Sequence, residues 1–197
     1  MSSAAIQPVA SEQDWQPSKG VIGMTGLIIA ESAIFTIFVV AYLYYVGRDT
    51  SGPTPKQVLE IPWFYSVCLI SSSLFIVLAE RAIEHGKMAA FRLWWLVTMA
   101  LGIIFLYGTG AEWRKLIVED HLTISTNLFG TTFYSLVGLH ASHVIAGLLM
   151  MTVVAVFALT GAVTQKHAER VKVLALYWHF VDAVWIVVFT VVYWIGR

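Results

Sequence analysis

Five long apolar stretches dominate this sequence and leave few folds open to it. They cover residues 21–46, 62–84, 91–112, 127–160 and 171–195. Each is long enough to cross a hydrocarbon core about 30 Å thick, which takes roughly 20 helical residues. In lipid every backbone N–H and C=O must be paired, so these stretches are helices; their residues do not alternate as barrel strands would. At 1.5 Å per residue the fourth is roughly 50 Å long, so it must tilt or project beyond the bilayer. Composition agrees, because only 12% of residues are charged, against about 25% in soluble domains. The expected fold is an all-α integral membrane bundle of five transmembrane helices, one domain over residues 21–197.

The remaining segments are short. Residues 1–20 are polar, with Pro8, Glu12, Asp14 and Pro17, and lack the basic and apolar regions of a signal peptide. A disordered tail is expected there. Residues 47–61 contain Gly52-Pro53-Thr54-Pro55, a turn-rich run that stops one helix before Pro62 opens the next. Residues 85–90 form a tight basic turn, and residues 113–126 a longer connection of mixed charge at the interface. No internal repeat of the inverted kind used by transporters is visible.

Lys and Arg set the orientation. Lys19, Arg81, Lys87, Arg92, Lys166, Arg170 and Lys172 fall on one side; Arg48, Lys56, Arg114, Lys115 and Arg197 fall on the other. The positive-inside rule then puts the N-terminus inside and the C-terminus outside. Net charge is zero, and no basic block could track a nucleic acid. The one cysteine, Cys68, excludes an internal disulfide and reads as a small buried residue.

Ionisable residues inside the spans cost at least about 2.5–3.5 kcal/mol each on the insertion scale, so they need partners or a purpose. Glu31 lies near the middle of the first span. It is either a proton-linked or lipid-facing acid, or a protonated acid bonded to a neighbouring helix. His140 and His143 share a face of the fourth helix, and His179 and Asp182 share a face of the fifth. With these helices antiparallel, His143, His179 and Asp182 are expected to meet, a histidine donating to a carboxylate. Haem ligation by facing histidines is the rival reading. Glu80, Arg81, Glu84 and Glu112 fall at helix ends, where solvated side chains are expected.

Aromatic residues mark the interfaces: Tyr42, Tyr44, Tyr45, Trp63, Trp94, Trp95, Trp113, Tyr193 and Trp194. Trp178 and Trp185 instead lie on one stripe of the fifth helix beside Asp182, a spacing suited to helix packing. Gly138, Ala141, Ser142, Ala146 and Gly147 give the fourth helix a small-residue face for close contact. The residues alone thus lead to a five-helix membrane protein with a polar interior: His140, His143, His179, Asp182 and Glu112. They offer no nucleophile, no metal-ligand spacing and no phosphate loop.

Those residues resemble subunit III of the haem–copper respiratory oxidases. Tyr177-Trp178-His179-Phe180-Val181-Asp182 through Trp185 to Tyr193-Trp194 is similar to the family's last helix. Gly130-Thr131-Thr132-Phe133-Tyr134 followed by Gly138-Leu139-His140-Ala141-Ser142-His143-Val144-Ile145-Ala146-Gly147 resembles the penultimate one. Glu31, followed by Phe35 and Phe38, sits where the family carries its carbodiimide-reactive acid. Leu101-Gly102-Ile103-Ile104-Phe105 leading to Glu112-Trp113 matches the end of another helix. The chain departs from the pattern at Thr109 (usually glutamine), at Trp113 (usually tyrosine) and at Glu80, where an alanine–histidine pair is common.

The resemblance implies the short, five-helix bacterial form, in the cytoplasmic membrane. It implies a subunit with no redox cofactor of its own, no metal site and no catalytic residue. Haems and copper belong to partner subunits I and II. The chain would pack against subunit I, stabilise it and support proton uptake, with a small subunit IV and membrane lipids as further partners. Bound phospholipid is implied by analogy with the lipid-filled cleft of the long form. The donor is cytochrome c or a quinol, and Glu31 with the Tyr-Trp-His-Phe run favours cytochrome c. Competing readings are a b-type cytochrome using His140, His143 and His179, a small proton-coupled transporter using Glu31 and Asp182, and an accessory protein of nitric oxide reductase.

Overall fold

The computed structural model describes residues 18–48 and 52–196. The tail expected over residues 1–20 lies, up to residue 17, outside the described residues, as does Arg197. All regular structure among the described residues is helical. The helices are α1 (Lys19–Tyr45), α2 (Pro55–Val58), α3 (Trp63–Glu84), α4 (Met88–Val118), α5 (Leu128–Leu159) and α6 (Ala168–Phe189). A 3-10 turn, Gln165–His167, leads into α6, and a π-helical turn, Thr190–Ile195, ends it. All but α2 belong to the five helical segments long and apolar enough to cross a membrane.

Local chemistry explains the boundaries. The Ser18 hydroxyl accepts from the Val21 amide at the start of α1, and the Asn127 side chain accepts from the Gly130 amide at the start of α5. Both α3 and α5 close in the same way. Gly86 and Gly161 adopt φ of 70° and 78°, a left-handed conformation that costs glycine no side-chain clash. Lys87 N–H then reaches the Ala82 carbonyl at 2.8 Å, and Ala162 N–H reaches Phe157 at 2.9 Å, which satisfies carbonyls the helix leaves open. In the first long connection, Thr54 and Gln57 cap each other around α2.

One expected boundary moves. The stretch 113–126 does not begin as a loop, because α4 continues to Val118. Nothing between Trp113 and Val118 breaks a helix, and Lys115 near its end suits the negative pole of the helix dipole. At 31 and 32 residues, α4 and α5 are each roughly 47 Å long.

The last helix sits at the centre. α6 packs against α1, α3 and α5, while α4 closes the remaining side between α3 and α5. Its Trp178 is fully buried. A methyl group on Gly102 of α4 would lie 2.8 Å from the far edge of that indole, and one on Gly147 of α5 would lie 2.9 Å from its other edge. The Trp178 N–H donates to the Ser72 hydroxyl of α3 at 2.8 Å. One side chain therefore touches three other helices.

The aromatic assignment needs correction at three positions. Tyr42, Trp95 and Tyr193 are interior residues, 0%, 1% and 1% exposed. They face the bundle because each lies on the inner face of its helix, and Trp95 finds a polar partner there in the Met151 carbonyl at 3.0 Å. Trp63, Tyr44 and Trp194 remain more than half exposed. Cys68 is buried, as expected.

The close glycine contacts carry a testable consequence. Gly147→Ala should lower the unfolding free energy in mixed micelles by about 1–3 kcal/mol, the usual cost of overpacking. Gly110→Ala, where a methyl meets nothing within 4 Å, should be neutral or stabilising. Equal effects at both positions would contradict the packing described for Trp178.

Candidate functional site

The polar groups expected to form one interior cluster occupy four separate places. Each lies between a different set of helices.

The first joins α1 to α5. His143 Nε2 lies 3.2 Å from Glu31 Oε2, with the two side chains 14% and 23% exposed. His143 Nδ1 lies 2.8 Å from the Leu139 carbonyl. A carbonyl only accepts, so Nδ1 carries a hydrogen. The contact to Glu31 is then either an imidazolium facing a carboxylate or a neutral imidazole accepting from a carboxylic acid. Both arrangements hold one shared proton and no net charge, which makes the pair tolerable in lipid. The Tyr177 hydroxyl donates to the His143 carbonyl at 3.2 Å, and the Phe35 ring meets the imidazole edge-on. A shallow cleft of about 250 Å³ opens beside the pair.

The second joins α3 to α6. The Ser73 hydroxyl donates to Asp182 Oδ2, and its oxygen lies 3.1 Å from His179 Nδ1. A hydroxyl that has given its hydrogen to the carboxyl can still accept, so the imidazole donates from Nδ1. His179 and Asp182, both on α6, are thus linked through Ser73 of α3 rather than bonded to each other. His143 is not with them. It lies on the α1 side of α5, and the expected meeting of His143, His179 and Asp182 does not occur. Helical spacing placed each pair on a face correctly, yet it carries no information about which neighbour that face meets.

The third is His140, 1% exposed. Its ring stacks on Trp185 with centroids 5.0 Å apart, and Phe35 and Phe105 meet it edge-on. Neither ring nitrogen has a hydrogen-bond partner among the described residues. His140 is packed as an aromatic plate.

The fourth joins the end of α6 to α4. The Tyr193 hydroxyl lies 2.9 and 2.8 Å from the two Glu112 oxygens and shares its hydrogen between them. Glu112, expected both near a solvated helix end and in the polar interior, is held here by the buried Tyr193 hydroxyl. The π-helical turn that ends α6 carries Tyr193, and no periodicity in the sequence announces such a turn. Beside Glu112 is a cavity of about 400 Å³, whose wall includes the ion pair of Lys115 with Glu60.

Trp178 and Trp185 are both buried, and Gly138 and Gly147 face Trp113 and Trp178. Ser72, Ser73 and Gly102 were not singled out for these contacts. Serines within an apolar run give no distinguishing signal, and Gly102 stood out only within the resemblance. Among the described residues no group of three or more His, Cys, Asp or Glu side chains is arranged to hold a metal ion.

These features define a multi-pass helical membrane protein whose buried polar groups bridge one helix to another. Comparison with known proteins gives its family. The chain belongs to the cytochrome c oxidase subunit III family, whose profile matches residues 18–197. It is 34% identical to cytochrome c oxidase subunit 3 of Alkalihalophilus pseudofirmus, over 89% of this chain and 86% of that one. It is 38% identical to cytochrome c oxidase subunit 3 of Synechocystis sp., over 90% and 76%. Identity is also 34% to cytochrome bo(3) ubiquinol oxidase subunit 3 of Pseudomonas aeruginosa, over 89% and 85%. The resemblance seen in the last two helices holds across the chain, which is a subunit of a multi-subunit respiratory oxidase.

The shared role of Ser73 is open to test. Ser73→Ala removes the partner of both Asp182 and His179, and should cost about 1–3 kcal/mol in mixed-micelle unfolding. Ser71→Ala should cost less than about 0.5 kcal/mol, because the Ser71 hydroxyl bonds only the Cys68 carbonyl of its own helix. Equal losses would contradict the bridge.

Proposed function

We propose that this chain is the cofactor-free accessory subunit of a proton-pumping haem–copper oxidase, working in the bacterial cytoplasmic membrane. Its polar tail lies in the cytoplasm and its C-terminus in the periplasm. The reaction, oxygen reduced to water, takes place at haems and copper in subunits I and II. The chain packs on subunit I, holds it in its active form and supports proton uptake into it, with a small subunit IV nearby.

The observation that carries this reading is the use made of the three membrane histidines. His143 turns to Glu31, His179 to Ser73 and His140 to Trp185. Axial haem ligation needs imidazoles converging on one point, and these diverge. The groups a redox site or a transporter relay would draw on are committed to holding helices together. Glu31 with His143 is the proton-linked exception. The pair holds one shared proton beside an open cleft, so the proton can move between carboxylate and imidazole without placing a net charge in lipid, and its release to the cleft leaves one negative charge until another proton replaces it.

The electron donor has two readings. Cytochrome c is favoured by the Glu31 motif and the Tyr-Trp-His-Phe run. A quinol is favoured by the Pseudomonas aeruginosa relative, whose name is that of a ubiquinol oxidase subunit.

Solubilised from its native membrane, the chain should co-purify with a haem-bearing large subunit, and that complex should oxidise reduced cytochrome c faster than a quinol. Faster quinol oxidation would select the second donor. Migration as a lone monomer, or a haem absorption band in the isolated chain, would contradict the accessory role.

A further inference from the structure

Tyr193 differs from the other buried tyrosines in what its hydroxyl meets. Among the described residues four tyrosines are buried: Tyr42, Tyr134, Tyr177 and Tyr193. The Tyr134 and Tyr177 hydroxyls donate to the backbone carbonyls of Leu122 and His143, and the Tyr42 hydroxyl has no partner. A carbonyl accepts a hydrogen bond but does not take the proton. Tyr193 donates to a carboxyl group, its oxygen 2.9 and 2.8 Å from the two Glu112 oxygens. Near-equal approach to both oxygens suits an ionised carboxylate, which accepts at either one and carries no hydrogen of its own.

A phenol gives up an electron readily only when its proton leaves with it, because a phenol radical cation is a very strong acid. Glu112 is placed to take that proton across one hydrogen bond. The rings around Tyr193 supply the electron path. Trp185 lies 6.4 Å away between centroids and is fully buried. Its indole N–H has no partner among the described residues, and His140 covers it with a ring face at 5.0 Å rather than a nitrogen. An oxidised Trp185 would therefore keep its proton and remain a cation in apolar surroundings, which is costly. A tyrosine with a base beside it is the lower resting place for the missing electron. On the other side, Phe189 lies 5.6 Å from Tyr193 and 5.4 Å from Trp63, whose side chain is 56% exposed. The pair is thus joined to the core and to the molecular surface.

We propose that Tyr193 and Glu112, besides tying α6 to α4, form a redox-active pair that draws oxidising equivalents out of the bundle core. The oxidant is a one-electron acceptor of the kind formed when oxygen is only partly reduced, such as hydroxyl radical. It takes one electron from Trp185 and becomes hydroxide. Tyr193 then gives an electron to the indole, its O–H bond breaks, and the proton passes to a Glu112 oxygen. The products are a neutral indole, a neutral phenoxyl radical and a carboxylic acid, so the charges of the indole cation and the carboxylate cancel. A one-electron reductant at the Trp63 surface, a quinol or a reduced haem protein, returns an electron across Phe189. Glu112 gives the proton back, and the phenol is restored. The inference goes beyond the accessory role and holds whichever electron donor serves the complex.

The test uses the full chain in mixed micelles, with a photoexcited quinone dissolved in the micelle as the one-electron oxidant. After a flash, the indole radical absorption should decay as a phenoxyl radical appears, and paramagnetic resonance should record that radical. Tyr193→Phe should remove the phenoxyl signal and leave the indole radical long-lived. Glu112→Gln should lower the phenoxyl yield by about tenfold or more, since a hydrogen bond to a charged group is worth at least that factor. If neither variant folds, the unaltered chain decides the question: after full exchange into deuterated water, phenoxyl formation should slow, because the O–H bond breaks as the electron leaves. An unchanged rate in deuterated water would overturn the proposal. So would an undiminished phenoxyl yield in Glu112→Gln, or a phenoxyl signal that survives Tyr193→Phe at full strength.

Discussion

Trp178 is the contact on which the rest of the bundle depends. In lipid, tails are as apolar as leucine, so burial gives two helices little reason to meet; close packing and interhelical hydrogen bonds must do it. Trp178 supplies both from one position. Its indole fills the space left by Gly102 and Gly147, and its N–H is bonded to Ser72. That combination fixes α3, α4 and α5 around α6, and with them the direction in which every other side chain of α6 points. Asp182, one turn further on, is thereby aimed at Ser73 on the same α3 face.

The intramembrane polar groups then divide by location. Ser73 with Asp182 and His179, and Tyr193 with Glu112, sit where α6 meets α3 and α4. His140 sits among aromatic rings. Glu31 with His143 combines an acid, a base and partial exposure beside a cleft. The role proposed above draws on two kinds of site, one for stability and one for holding a proton, and the two are kept apart here. The structural ones lie around the central helix, and the proton-holding one lies where α1 crosses α5.

Much of this was legible in the sequence because the bilayer leaves so few options. Length and hydropathy placed five helices, and the run from Tyr177 to Trp185 together with the Gly138–Gly147 face pointed to the packing core and to the family. The pairings were not legible. His143 and Asp182 were each correctly placed on a face, but partner choice depends on how helices rotate and neighbour one another, which periodicity does not encode. Ser72 and Ser73 look like any serines in an apolar run until Trp178 and Asp182 are set against them. Glu112 lay close enough to a predicted helix end to suggest solvation. In fact α4 continues past it to Val118, and a π-helical turn brings Tyr193 to its carboxyl group.

The most direct test of the central claim is the unfolding free energy of the full chain with Trp178 replaced by alanine, measured in mixed micelles against the unaltered chain. A keystone of this kind should cost about 3–5 kcal/mol, the range for large buried aromatic side chains, with α3, α4 and α5 loosening together in hydrogen exchange. A loss below about 1 kcal/mol, or loosening confined to α6, would contradict the account.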